Sequence, residues 1–222
     1  MSKERIKLDT PIVIGFSILQ LAKLRMLEFY YDLMLKYFDR SDFEYVQMDT
    51  DCAYFAMSGD FEDLVIPQKR HQFFDEYDKW FVPEFCDTHK TQFVECKVNF
   101  GAWKMSNCCK ESFNFHRRTP GLFKQEFRGK GIIALNSKTY FCFGDEGNKL
   151  STKGIMKRCN DIKKEEFLNV LNNKSRVHGT NRGIMRRNNK VMTYNQTRAG
   201  LSFFYAKRKV HSDGVTTFPL DM

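Results

Sequence analysis

The sequence predicts an α+β region followed by a small basic region, and three observations support this prediction. Apolar residues recur at helical spacing after Ser17, and strand-like runs flank a turn near residue 50 and fill residues 119–144. Charge is divided along the chain: residues 1–100 contain 12 Lys/Arg and 18 Asp/Glu, whereas residues 101–222 contain 24 and 9. The expected domains are therefore residues 1–157 and a basic region over 158–222.

The first element is a helix of about five turns that begins at Ser17 and follows a β-like stretch at residues 11–15. Its apolar residues lie on one side and its charged residues on the other, which is typical of a helix packed on a core. Charged residues also interrupt the apolar stretch 12–35, so a membrane span is not expected.

A short acidic turn, residues 49–51, lies between strand-like runs at 43–48 and 52–57. Asp49 and Asp51 occupy positions i and i+2, which project from the same face of an extended chain. Two adjacent carboxylates repel each other unless a cation lies between them. The turn therefore predicts a site for a hard divalent ion, although most Asp-x-Asp triplets are solvated turns.

The remaining elements are less regular. Residues 60–81 are predicted to be helical, and residues 86–116 to be an irregular connector. A short helix is expected at 162–172, and strand pieces at 190–194 and 201–205. The aromatic face of the second helical segment is expected to be core and consists of Phe73, Phe74, Tyr77 and Trp80.

The seven cysteines form an odd set with no regular framework, and the N-terminus leads into no apolar signal segment. Reduced thiols in a nuclear or cytoplasmic protein, not a secreted one, are the simplest account. A zinc site could be assembled from a Cys/His set, but the chain has no paired C-x2-C, and ordinary buried thiols remain the simpler interpretation. The set consists of Cys86, His89, Cys96, Cys108 and His116.

Other short segments accompany the acidic turn in a definite order. Residues 11–31 precede it with the predicted first helix. After it come Gly-Leu-Phe-Lys-Gln-Glu at 121–126, Lys-Thr-Tyr at 138–140 and Lys-Gly-Ile at 153–155.

In this order the segments resemble family B DNA polymerases, in particular the protein-primed enzymes of viruses and of Maverick/Polinton-type mobile elements. The acidic turn resembles their motif C, usually Y-x-D-T-D-S. Residues 138–140 are similar to the K-x-Y element, and 121–126 to the G-x-[WF]-K-x-E segment that precedes it. Residues 153–155 resemble the K-G-[IV] step from palm to thumb, and 11–31 the segment and helix between motifs B and C.

The resemblance implies a fold, an activity and partners. The fold would be a palm-like antiparallel sheet with packed helices, followed by a thumb-like basic subdomain. The activity would be DNA-directed DNA polymerisation with Mg²⁺, in which Asp49 and Asp51 are catalytic metal ligands of a two-metal site. The partners would be a DNA primer–template, dNTP and, as an option, a terminal protein primer.

The sequence also departs from the family pattern. Gln47 replaces the motif C Tyr, and Cys52 replaces the Ser. Motifs A and B and the three exonuclease motifs are not found. The chain is therefore expected to be a C-terminal polymerase part whose two-metal site is incomplete and which is not active alone.

DNA contacts are expected in the second half of the chain, from the resemblance at residues 138–140 and 153–155 and from the density of positive charge in the basic tail. Lys138 and Tyr140 would alternate onto one strand face, and Lys153 would approach the duplex. A flexible glycine-containing segment at 179–183 would bring backbone amides near phosphate. The basic tail would contribute Arg182, Arg186 and Arg187.

Two other functions stay open from the sequence. One is a non-catalytic DNA-binding remnant of a mobile-element polymerase, which would keep the basic surface after losing the active site. The other is a metal-dependent nuclease built on the Asp pair, which is less favoured because no third acidic residue or catalytic His accompanies that pair.

Overall fold

The computed structural model describes residues 11–145, 147–204, 208–213 and 216–219. The fold is α+β, as predicted, with small antiparallel sheets. Contacts divide the chain into two units, unit 1 at residues 1–126 and unit 2 at residues 127–222. This division precedes the predicted boundary at 157/158, because the strands between 131 and 151 share a hydrophobic core with the basic region.

Unit 1 combines several helices with one antiparallel hairpin. A π-helical segment, Phe29–Met34, joins the first two helices, so the chain is continuously helical from Ile12 to Tyr37. The helices are α1 (Ile12–Glu28), α2 (Leu35–Tyr37), α3 (Arg70–Asp75), α4 (Tyr77–Trp80), α5 (Lys90–Val98) and α6 (Asn107–His116). The hairpin consists of β1 (Phe43–Asp49) and β2 (Cys52–Met57).

The first helix begins five residues earlier than predicted. Pro11 is its N-cap, and the carbonyl of Pro11 accepts hydrogen bonds from the backbone N–H groups of Ile14 and Gly15. The β-like prediction for residues 11–15 is therefore wrong. β-branched residues favour strands only weakly, and this stretch joins a longer helix.

Apolar side chains lie on all sides of α1, and most of them are exposed. Ile12 and Val13 are 75% and 76% exposed, and the first buried side chain of the helix is Met26. The prediction of a core-packing helix holds only from Met26 through the π-helical segment. Among the described residues, no helix is both long and apolar enough to cross a lipid bilayer. The exposed apolar residues of α1 are Ile12, Val13, Ile14, Phe16, Ile18, Leu19, Leu21, Leu24 and Leu27.

The core of unit 1 is largely aromatic. Phe73, Phe74 and Tyr77 are buried as predicted, and Trp80 packs against the same cluster while partly exposed. The rings of Phe74 and Tyr77 meet Phe93 of α5 in edge-on or tilted contacts, which aromatic pairs favour. The core therefore joins helices from the middle of the chain to the segment that follows them.

That following segment, residues 86–116, contains α5 and α6 rather than an irregular connector, so the prediction there was wrong. Phe93 and Val94 anchor α5 in the core. In α6 the one buried residue is Cys109, so the sequence offers little helical periodicity to detect. Ser106 marks the start of α6, since its side chain accepts a hydrogen bond from the Cys109 N–H.

Unit 2 contains a three-stranded antiparallel sheet, a helix, a long hairpin and a short strand pair. Helix α7 (Lys164–Asn173) begins two residues after the predicted start and packs Phe167 and Val170 into the core. The strands are β3 (Gly131–Asn136), β4 (Thr139–Gly144), β5 (Gly147–Ser151), β6 (Arg176–Arg187), β7 (Lys190–Ser202), β8 (Arg208–Val210) and β9 (Thr217–Pro219).

The β6–β7 hairpin replaces the flexible turn that the sequence predicted and contains the predicted strand 190–194. Of the predicted strand 201–205, only the first two residues lie in β7, and residue 205 lies outside the described residues. Residues 179–183 lie inside β6 and pair with β7. Gly179 and Gly200 face Ile155, and a Cβ at either position would overlap the Ile155 side chain. These two glycines therefore permit close packing and do not mark flexible backbone.

Candidate metal centres and nucleic-acid contacts

The acidic turn forms the tip of the β1–β2 hairpin. Asp49 ends β1 and pairs with Cys52, while Thr50 and Asp51 form the two-residue turn between them. The Asp51 N–H donates a 2.7 Å hydrogen bond to the Asp49 carbonyl. Because the chain reverses direction at this point, the extended-strand alternation assumed for the two carboxylates does not apply. Asp49 is half-buried and Asp51 is exposed.

Thr50 has an unusual backbone conformation for its residue type. Its φ is 58°, in the left-handed region, where a β-branched side chain costs about 1–2 kcal/mol. The Thr50 hydroxyl donates a 3.3 Å hydrogen bond to Asp49 Oδ1. Backbone strain of this kind is concentrated at functional sites, where the local geometry matters more than stability.

Gln47 lies two residues before Asp49, beside a bulge in β1. Its side chain is 9% exposed, and neither the amide oxygen nor the amide nitrogen has a hydrogen-bond partner within the described residues. Around the acidic turn, the described ranges also place no third His, Cys, Asp or Glu close enough to complete a metal site with Asp49 and Asp51. The turn therefore offers the oxygen ligands that Mg²⁺ prefers, but too few of them.

Lys138 and Tyr140 belong to unit 2 and do not share an exposed strand face. Lys138 is exposed in the β3–β4 turn with a φ of 64°, and its carbonyl accepts a 3.0 Å hydrogen bond from Ser151 Oγ. Tyr140 is the second residue of β4 and is buried. The alternation argument fails because the strand begins only at Thr139.

The Lys153–Ile155 segment is fixed against β6. Gly154 has a φ of 94°, which glycine adopts without strain, and its carbonyl accepts a 2.6 Å hydrogen bond from Asn181 Nδ2. Ile155 is buried, whereas Lys153 is exposed. The segment thus presents one lysine from a tightly held turn.

The three predicted arginines of the basic tail all lie on β6 and are exposed. Strand alternation places Arg182 and Arg186 on one face of the hairpin, with their cross-strand partners Asn195 and Val191. Arg187 lies on the opposite face.

Unit 2 contains 19 Lys/Arg and 7 Asp/Glu, which give it a net charge of +12. The β6–β7 hairpin carries part of this charge.

A second candidate metal centre lies in unit 1 and joins two segments that are twenty residues apart. Its potential ligand atoms all lie within 4.8 Å of one another. His89 Nδ1 is 3.1 Å from Cys86 Sγ, 3.6 Å from Cys108 Sγ and 3.7 Å from Cys109 Sγ. Cys86 Sγ and Cys108 Sγ are 3.7 Å apart. We call this group the Cys/His cluster; it consists of Cys86, His89, Cys108 and Cys109.

Local structure explains the position of each member. Cys86 precedes a short 3-10 turn, Asp87–His89, that leads into α5. Cys108 and Cys109 lie in the first turn of α6, where the helix dipole favours negative charge. Ser106 Oγ donates a 3.0 Å hydrogen bond to Cys109 Sγ and lies 3.0 Å from Cys108 Sγ.

Electrostatics also favour a thiolate at Cys109. Burial raises the pKa of the Cys109 thiol, but hydrogen bonds from Ser106 and Cys86 oppose that effect and lower the pKa to about 7. A thiolate is the form of cysteine that binds metal ions. The cluster is thus chemically different from the acidic turn, with soft sulfur and nitrogen donors in place of carboxylate oxygens.

The zinc set considered from the sequence was partly right. Cys86, His89 and Cys108 do come together, whereas Cys96 and His116 are not members of the cluster. Cys109, the fourth member of the cluster, was missed. The available signal was Ser106 as a helix N-cap, which places the following two cysteines in one helical turn.

No protein-family model, curated protein or solved structure matches this chain. The similarity of its motifs to family B DNA polymerases therefore stays a prediction.

Proposed function

We propose that this chain supplies the motif C carboxylates and part of the primer–template contacts of a family B DNA polymerase of the protein-primed type. The carrying observation is the Asp-Thr-Asp tip of the β1–β2 hairpin, with a strained threonine between two carboxylates. The segments that contain Lys138 and Lys153 follow this turn in the same order as the similar segments of the polymerase family.

Asp49 and Asp51 would hold Mg²⁺ in this proposal. Bound Mg²⁺ would supply the chemistry of nucleotidyl transfer, which is activation of the primer 3′-hydroxyl and neutralisation of triphosphate charge. The donor type fits Mg²⁺, but the number of donors does not, because this ion demands a nearly complete octahedral set. A further carboxylate from a polypeptide segment carrying motif A would complete the site.

The exposed apolar surface of α1 supports the same proposal. A helix that is apolar on all sides is normally buried, yet most of α1 before Met26 is exposed in the described chain. In the polymerase family the corresponding helix lies between motifs B and C. A palm segment carrying motifs A and B is therefore the proposed partner of this surface.

Unit 2 would contribute the nucleic-acid contacts. Lys138 and Lys153 are exposed on turns, and Arg182 and Arg186 share one face of the β6–β7 hairpin. Such side chains suit phosphate contacts that are independent of base sequence. Tyr140 is buried, so its expected role is to position the turn that carries Lys138.

Primer extension tests the proposal directly. The assay uses a polypeptide in which this chain is joined to a segment that carries motifs A and B of a protein-primed family B polymerase. Asp51→Ala is expected to reduce templated dNTP incorporation by about 10³-fold, equivalent to about 4 kcal/mol. Asp75→Ala is the matched control, because Asp75 is an exposed aspartate on α3 outside the acidic turn. Equal activity of the two variants would contradict the proposal.

The second candidate function is DNA binding without catalysis, and the +12 charge of unit 2 favours it. Joint replacement of Arg182 and Arg186 by glutamine is expected to weaken duplex binding. The slope of the logarithm of the binding constant against the logarithm of the salt concentration should become less steep by about one for each lost phosphate contact. Arg118→Gln, an exposed arginine of unit 1, is the control. DNA binding combined with no incorporation in any joined polypeptide would favour this second function over the first.

A further inference from the structure

The Cys/His cluster has the dimensions of a tetrahedral zinc site. Zinc binds sulfur at about 2.3 Å and nitrogen at about 2.0–2.1 Å, so tetrahedral geometry places sulfur atoms about 3.8 Å apart and sulfur and nitrogen about 3.6 Å apart. The Cys86–Cys108 sulfur distance is 3.7 Å, and His89 Nδ1 lies 3.6 and 3.7 Å from the sulfurs of Cys108 and Cys109. The Cys86 Sγ to His89 Nδ1 distance, 3.1 Å, is shorter than the tetrahedral value.

Two other uses of cysteine fit these distances poorly. A disulfide needs sulfur atoms about 2.05 Å apart, and the Cys86–Cys108 separation is far longer. A nucleophilic Cys–His pair needs one thiol beside one imidazole nitrogen. Here three thiols converge on the same nitrogen, His89 Nδ1, which is the arrangement of ligands around a common metal ion.

We propose that the Cys/His cluster binds one Zn²⁺ as a closed, structural Cys₃His site. All four tetrahedral positions would be filled by protein ligands, so no position would remain for water or substrate. Thiolate donors exclude Mg²⁺ and Ca²⁺ on grounds of softness. Hydrogen bonding from Ser106 and the N-terminus of α6 would stabilise the bound thiolates.

The proposed zinc would fix α6 to the start of α5. Cys109 is fully buried against the core of unit 1, whereas Cys108 is exposed, so the cluster lies at the edge of that core. Phe93 and Val94 anchor α5 in that core, whereas α6 buries only Cys109. A metal link would therefore replace packing that α6 lacks.

Metal analysis of the whole reduced chain tests this inference without DNA or nucleotide, so its outcome is separate from that of the polymerase proposal. The wild-type chain is expected to hold about one zinc ion. Cys108→Ser is expected to lower zinc affinity at least about 100-fold. Cys159→Ser is the matched control, because Cys159 is also exposed but lies in unit 2, outside the cluster.

Cobalt substitution of the wild-type chain gives a second measurement that needs no variant to fold. Tetrahedral d–d bands with strong thiolate-to-cobalt charge transfer are expected. Weak octahedral bands would overturn the inference. So would a wild-type chain that takes up neither metal, or a Cys108→Ser chain that holds zinc as tightly as the control.

Discussion

The acidic turn and the Cys/His cluster lie in the same unit but are built in opposite ways. The acidic turn takes two carboxylates from three consecutive residues, and the described chain adds no third ligand to them. The cluster takes its ligands from two segments separated by a helix, and four donors converge. The turn is thus a local feature that needs a partner, whereas the cluster is complete only because the chain folds.

This difference predicts different responses to metal ions. A closed site that exists only in the folded chain couples metal binding to folding. An open pair of carboxylates on a hairpin binds weakly until further ligands arrive, and its charges remain solvated. The two sites therefore require separate tests.

The largest expected effect is that of zinc removal. Treating the zinc-bound chain with a chelator is expected to increase amide hydrogen exchange in α6 by about tenfold or more, because the link to Cys86 and His89 would be lost. Exchange in β1 and β2 should stay unchanged, and adding Mg²⁺ should protect neither region. Uniform loosening of unit 1, or Mg²⁺ protection of the acidic turn, would remove the contrast between the sites.

A smaller effect is expected from Ser106→Ala. This change removes the N-cap of α6 and the hydrogen bond to Cys109 Sγ, so it should lower the free energy of unfolding by about 1 kcal/mol and zinc affinity by about tenfold. Chemical denaturation and competition with a chromophoric chelator measure the two quantities. Ser41→Ala, at an exposed serine beside β1, is the control for zinc affinity. A loss of stability with unchanged zinc affinity would make Ser106 a helix cap alone.

The smallest effect is expected at Gln47. Its buried amide lacks a partner within the described residues, so Gln47→Leu is expected to stabilise the chain by about 0.5 kcal/mol in chemical denaturation. Zinc content should not change. If this variant is instead less stable, the Gln47 amide has hydrogen-bond partners in solution, and the contrast between an incomplete acidic turn and a complete Cys/His cluster would be weaker.

Elements formed by residues close together in the sequence were predicted correctly, whereas elements that depend on contacts between distant segments were not. The β1–β2 hairpin was predictable because its strands and turn are adjacent in sequence. The aromatic core around Phe73 was predictable from side-chain type alone. The segment 86–116 was not, because α6 buries only Cys109 and its position depends on contacts with a distant segment.

Errors at the candidate site residues have a similar cause. The side-chain directions of Lys138 and Asp51 were inferred from the alternation of an extended chain, but both residues lie in two-residue turns beside residues that pair across a hairpin. Sequence alternation does not reveal where a strand ends, so it misassigned the direction of these side chains. The pairing of Cys109 with His89 also depends on tertiary structure, which a ligand-spacing pattern does not encode.

The packing of Ile155 against two glycines has a consequence for inherited variation. Because a side chain at position 179 or 200 would overlap Ile155, substitutions at these three positions depend on one another. A smaller residue at 155 would free space that alanine at 200 could fill, so one substitution would suppress the harm of the other. In related genes, substitutions at position 155 should therefore be accompanied by substitutions at position 179 or 200 of the β6–β7 hairpin.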